Sequence, residues 1–100
     1  MSGAELRFVP AASREVEDAL AWYLVRSLKA GESFLREFER GLALVKETPR
    51  LWPRFEAGTR RYVLRRFPFS IIYREFGEDI IEVVAVAHDN KRRPGYWHGR

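Results

Sequence analysis

The sequence predicts an α+β domain: an N-terminal strand, an antiparallel helical hairpin, and three further strands that complete a small, mainly antiparallel four-stranded sheet. Three observations lead there. Apolar residues from Val16 to Val45 recur every three or four positions, the spacing of a helix face. Between Arg60 and His88 they alternate or run together, the spacing of strands. The segment Pro49–Gly58 (PRLWPRFEAG), rich in turn residues, separates the two regimes. A chain of 100 residues is expected to form one domain, residues 1–100. At 46% hydrophobic and 14% aromatic it has the composition of a globular protein rather than a disordered one.

The elements follow in order. Glu5–Val9 (ELRFV) alternates Leu6 and Phe8 against Arg7 and reads as a first strand. Pro10 suits a first helical turn. Val16, Ala19, Leu20, Tyr23 and Leu24 then mark the inner face of a helix whose acids, Glu15, Glu17 and Asp18, gather towards its start. Ser27 is a plausible N-cap for a second helix with the stripe Phe34, Leu35, Phe38, Leu42 and Val45, although Gly31 could mark the break instead. Thr48-Pro49 stops it. Two helices with almost no loop between them form an antiparallel hairpin, the natural cover for one face of a sheet. The loop that follows should be pinned by Trp52 and Phe55.

Thr59–Arg74 (TRRYVLRRFPFSIIYR) reads as two strands joined at Phe67-Pro68, since proline cannot donate to a ladder. Arg60, Arg61, Arg65, Arg66 and Arg74 crowd into it. Continued alternation puts Arg61, Val63 and Arg65 on one face and Tyr62, Leu64 and Arg66 on the other. A face that mixes arginines with apolar side chains cannot be buried under a hydrophobic layer without stranding charge. The sheet is therefore expected to have one covered face and one open, basic face. Gly77-Glu78-Asp79 is a hairpin turn, and Ile80–His88 (IIEVVAVAH) should be the central strand.

The net charge of +4 is unevenly placed. Residues 1–50 hold eight basic and eight acidic residues, and residues 51–100 hold ten and six, so the whole excess lies in the second half. That suggests a face for an anionic partner, nucleic acid or an acidic protein segment, or a basic surface that serves solubility alone. The tail, Asp89–Arg100 (DNKRRPGYWHGR), interleaves Lys91, Arg92 and Arg93 with Tyr96 and Trp97. It fits contact with nucleobases and phosphates, or a tail whose aromatic rings fold back onto the sheet, with Trp97 as a packing residue.

The absence of cysteine excludes a disulfide scaffold and suits a reducing cytosol. The N-terminal MSGAELRF carries no apolar run of a secretory signal, and no run is long enough to span a bilayer, so a cytoplasmic location without membrane association is expected. No Gly-rich phosphate loop, GxSxG motif or metal-ligand spacing occurs, so no metal and no cofactor are expected. His88 reads as a strand-ending histidine or a catalytic one, and His98 as a solvated tail residue. Cleavage of RNA through its own 2′-hydroxyl needs a base, an acid and cationic stabilisation of the phosphate. Arg61, Arg65, His88 and Tyr96 could supply these without a metal.

The order of elements, with certain residues on them, resembles the RelE/ParE superfamily of toxins from bacterial type II toxin–antitoxin systems, over nearly the whole chain. The residues are Trp22-Tyr23, Ser33-Phe34-Leu35 with Phe38 and Leu42, Glu47-Thr48-Pro49, Arg60-Arg61, the run Leu64–Arg74, Val84–His88, and Arg93-Pro94-Gly95-Tyr96-Trp97. The resemblance implies a toxin that arrests growth when free. It also implies a cognate antitoxin, an acidic segment lying on the basic sheet and across the hairpin in a toxin–antitoxin hetero-oligomer. Arg60, Arg61, Arg65, Arg66, Arg74, Arg92, Arg93 and Trp97 are the candidate contacts with target or antitoxin.

The superfamily splits by target. RelE-like members cut messenger RNA on the ribosome with basic residues along the second strand, an arginine in the third, an arginine after the fourth and a tyrosine near the C-terminus. Arg65 and Tyr96 match this pattern; Val63, Ser70 and Asp89 stand where the other cations would be. Another ribonuclease branch uses a glutamate, an arginine and a histidine, which Glu56, Arg65 and His88 could imitate. If the chain is a nuclease, Arg65, His88 and Tyr96 are its catalytic residues. ParE-like members poison DNA gyrase without that set, and this chain, lacking the full set, falls on their side. Third comes a non-toxic binding module on the same fold.

Overall fold

A computed structural model describes residues 4–100, so the expectations of a domain starting at residue 1 and of no secretory signal in its first residues lie, for residues 1–3, outside the described residues. Its elements are β1 (Glu5–Phe8), α1 (Pro10–Arg26), α2 (Leu28–Glu47), β2 (Arg60–Val63), β3 (Phe69–Glu75) and β4 (Ile80–His88). The sheet order is β1-β4-β3-β2, with β1 parallel to β4 and the other pairs antiparallel. This is the expected α+β architecture of two helices on a four-stranded sheet.

The hairpin breaks at Ser27, not at Gly31. Ser27 is extended at φ −170°, and its hydroxyl accepts from the Ala30 amide at 3.2 Å, which caps α2. Gly31 instead lies buried within α2, where α1 crosses closely. A Cβ built there would sit 2.2 Å from Leu24 Cδ2 and 3.2 Å from Leu24 Cα. Gly31→Ala should therefore splay the hairpin and cost about 1–3 kcal/mol. Thermal denaturation measures this, and an unchanged midpoint would show that Leu24 can swing aside at no cost. The apolar stripes are shorter than their periodicity implies: Leu24, near the hairpin's tip, is 41% exposed, and Leu35, two turns into α2, is 36% exposed. The tip also leaves Val25 and Leu28 uncovered.

The helix-side core joins Ala12 and Ala19 of α1, Phe34, Phe38 and Val45 of α2, and Tyr62, Ile71, Tyr73, Ile81, Val83 and Val86 of the sheet. Phe34 stacks on Tyr23 at 5.2 Å and meets the edges of Phe67 and Phe69 at 5.5 and 5.6 Å, favourable aromatic geometries. The loop after α2 is pinned as expected, one ring on each side. Trp52 packs edge-on against Tyr62 at 4.8 Å, and Phe55 lies against Trp97 at 6.0 Å on the opposite face. The buried Tyr73 hydroxyl donates to the Pro49 carbonyl at 2.6 Å. Burial pushes its phenol up to about 12, with Arg60 lowering it and Glu75 raising it.

β4 carries a bulge. Ile72 pairs with Ala85 and Tyr73 with Val83, which leaves Val84 as an extra residue. The parity of the strand switches there. Ile81 and Val83 face the helices before it and Val86 does after it, while Val84, Ala85 and Ala87 all face the other way.

That second face is not open. The tail crosses it, and Trp97, 3% exposed, packs on Ile72, Val84, Ala85 and Ala87 with Phe55 and Tyr96 alongside. The expectation of an exposed cationic sheet face is corrected: apolar β4 and β3 side chains on that side needed a lid, and Trp97 supplies it. The cations of this face are neutralised in place. Arg61 lies 3.6 Å from Asp89, and Arg74 2.7 Å from Glu82. β2 is also shorter than the alternation suggests. It ends at Val63, so Arg65 and Arg66 belong to the turn into β3 rather than to two strand faces.

Candidate functional site

Glu15, in the second turn of α1, is the organising charge beneath the tail. The acids of α1 begin there, so none lies in its first turn. One Glu15 carboxylate oxygen accepts from the Val86 amide at 2.9 Å and the other from the Tyr96 hydroxyl at 2.8 Å. Arg100 reaches both oxygens at 3.1 and 3.0 Å, and Arg92 comes within 3.8 Å while lying over the Tyr96 ring. Arg100 also donates to the Val84 carbonyl, and its own carbonyl accepts from Arg74 at 3.0 Å. Burial, then the bond to Glu15 and its charge, push the Tyr96 phenol well above its ordinary range; Arg92 and Arg100 offset part of this. Tyr96 is thus held as a neutral donor.

Beside this cluster, α1, the start of β3 and the end of β4 enclose a cleft of about 330 Å³, walled by Trp22, Tyr23 and Phe69 with His88 and Lys91 at its rim. His88 stands edge-on to Phe69 at 5.0 Å, and its Nδ1 accepts from the Asn90 amide at 3.1 Å. In the neutral ring that bond leaves the proton on Nε2. His98, expected to be solvated, is exposed and sits 2.9 Å from Glu56.

The other residues named from sequence are dispersed. Arg61 belongs to a compact set in which its Nε donates to the Ser70 hydroxyl at 3.1 Å and Ser70 donates to Asp89 at 2.7 Å. Arg60 donates to the Trp52 carbonyl at 2.7 Å, and Arg74 is tied to Glu82 and the tail. Arg92 and the exposed Arg93 border a second, smaller cleft with Trp97. Trp97 takes the packing role of its two expected ones, because its ring is buried and cannot stack on a partner in this conformation. Arg65 and Arg66 lie apart, in a groove with Arg36 and Arg40 of α2.

The suggested nuclease residues are therefore gathered only in part, with Arg61, His88 and Tyr96 all bordering the second cleft. His88 and Tyr96 share the cleft beside α1, whereas Arg65 lines the separate groove. Glu56 is bonded to His98, not to Arg65 or His88. Among the described residues no group of three or more His, Asp or Glu side chains is placed to hold a metal ion, and no helix is long and apolar enough to cross a membrane. Sequence reasoning missed Glu15, Arg36 and Arg40. The i, i+4 spacing of the two arginines, which stacks them on one helix face, was the available signal.

Comparison with known proteins places this geometry. A family model described as the ParE toxin of the type II toxin–antitoxin system parDE matches residues 6–93. A structure of the chromosomal ParDE system of Pseudomonas aeruginosa superposes with a TM-score of 0.61 at 22% identity, over 85% of this chain and 95% of that one. The toxin–antitoxin complex RelBE2 of Mycobacterium tuberculosis superposes with a TM-score of 0.58 at 20% identity, over 87% and 99%. These superpositions show the shared fold. No curated protein matches the sequence at a significant level. With the family model spanning nearly all of the strand–hairpin–sheet unit, the chain belongs to the ParE toxin family of type II toxin–antitoxin systems.

Proposed function

We propose that this ParE-family toxin is an inhibitor of DNA gyrase, neutralised by a cognate antitoxin, rather than a ribosome-dependent endoribonuclease. One observation carries the choice. Ser70 and Asp89, at the two positions where RelE resemblance would require arginines, are bonded to each other and to Arg61. A carboxylate there repels phosphate, and Arg61's charge is already answered. Arg65, the arginine that both nuclease patterns call for, lies in a different groove from His88 and Tyr96, so that catalytic set does not converge on one scissile phosphate. The antitoxin reading is supported by the uncovered apolar tip of the hairpin, where Val25 is 83% and Leu28 67% exposed.

Supercoiling of relaxed plasmid by purified gyrase is the test. The protein should block it or trap cleaved DNA, and addition of the antitoxin should restore it. Unchanged supercoiling with no trapped cleavage, alongside transcript cleavage in cells expressing the protein, would reject the gyrase reading in favour of the nuclease.

A further inference from the structure

Most guanidinium groups that the sequence offered as a basic face are engaged, but one cluster is not. Arg36 and Arg40 project from successive turns of α2, and Arg65 and Arg66 from the β2–β3 turn. All four are exposed and line one open groove of about 790 Å³. Among the described residues, none of the four has a carboxylate within ion-pair distance. The groove's acids are Glu37 and Glu39. Glu37 is taken by the backbone: one of its oxygens accepts from the Arg65 amide and, at 2.9 Å, from the Arg66 amide. That bond fastens the turn to α2 and so fixes the two pairs of arginines relative to each other. Glu39 is the single carboxylate left facing them without such a bond.

We propose that this groove binds the phosphate backbone of duplex DNA. The inference deepens the gyrase reading and rests on it for the choice of DNA over RNA, since gyrase holds duplex DNA while it works. The chemistry of the lining favours a nucleic-acid backbone over an acidic peptide. Apart from Tyr62, which is buried, the groove is lined by charged residues and Ser33. A protein interface needs an apolar centre to gain affinity, and none is present here. A phosphate backbone needs only cations in register, and guanidinium binds phosphate in a bidentate fork.

Binding of a fluorescein-labelled 30-base-pair duplex, followed by anisotropy between 50 and 200 mM salt, tests this. Four phosphate contacts predict a slope of log K against log salt of roughly −3.5. Arg36→Ala/Arg40→Ala and Arg65→Ala/Arg66→Ala should each weaken binding by about tenfold or more at 100 mM salt and make the slope shallower by about 2. The first pair sits on an exposed helix face where alanine is well tolerated, so its fold should persist. Arg7→Ala/Arg14→Ala removes as many cations outside the groove and should leave the slope unchanged. The inference is overturned if the duplex does not bind, or if the control pair weakens it as much as the groove pairs. It is also overturned if a polyglutamate peptide or a single-stranded RNA shows the arginine dependence and the duplex does not. Gyrase inhibition without DNA binding would remove the groove's role and keep the proposed function; arginine-dependent duplex binding without gyrase inhibition would do the reverse.

Discussion

Glu15→Ala is expected to lower the melting temperature by at least about 12 °C, the equivalent of roughly 3 kcal/mol in a domain of this size. The magnitude follows from what is stranded rather than from what is cut away. The carboxylate is mostly buried and serves the Val86 amide, the Tyr96 hydroxyl and the Arg100 guanidinium at once. Removing it leaves a charge and two polar groups without their partner beneath the tail. Glu15→Gln should fall between the wild type and alanine, since an amide oxygen can still accept a hydrogen bond but no longer balances Arg100 and Arg92. Differential scanning calorimetry on the three proteins decides it. A loss of only a few degrees for alanine would mean that the cluster is a surface ion pair of the ordinary, weak kind.

Trp97→Ala should be at least as costly, about 3–5 kcal/mol. The indole is the centre of the second core, and Ile72, Val84, Ala85 and Ala87 would be left facing a void or water. Denaturant unfolding gives the loss of stability. Limited proteolysis gives its location, with cleavage in residues 89–100 rising ahead of cleavage in the helices. A variant that keeps full stability yet loses its action on the target would return Trp97 to the role of a partner contact.

Much of this fold was readable from the chain because its signals are local. Period-3.6 spacing set out α1 and α2, Thr48-Pro49 ended the hairpin, and the apolar run Ile80–His88 named the central strand. The sheet's second face was misread because its cover is not local. Residues 89–100 are so charged that they resemble a solvated tail, and the acid that anchors them lies 81 and 85 residues away from Tyr96 and Arg100. The end of β2 was misplaced because Leu64, Arg65 and Arg66 continue the alternation past the point where Glu37 captures the backbone. Of the candidate site, Arg65 and Arg66 were named and Arg36 and Arg40 were not, since charges on an amphipathic helix ordinarily face water and nothing more. Only their meeting with the β2–β3 turn brings the four arginines into one groove.

The additional residue at Val84 has a bearing on how relatives are compared. A chain that lacks it must turn the C-terminal half of β4 inside out or shift its neighbours by one step, so a gap placed a few positions away would equate side chains from opposite sides of the sheet. Any transfer of His88 or Asp89 from one toxin to another depends on counting correctly through that point.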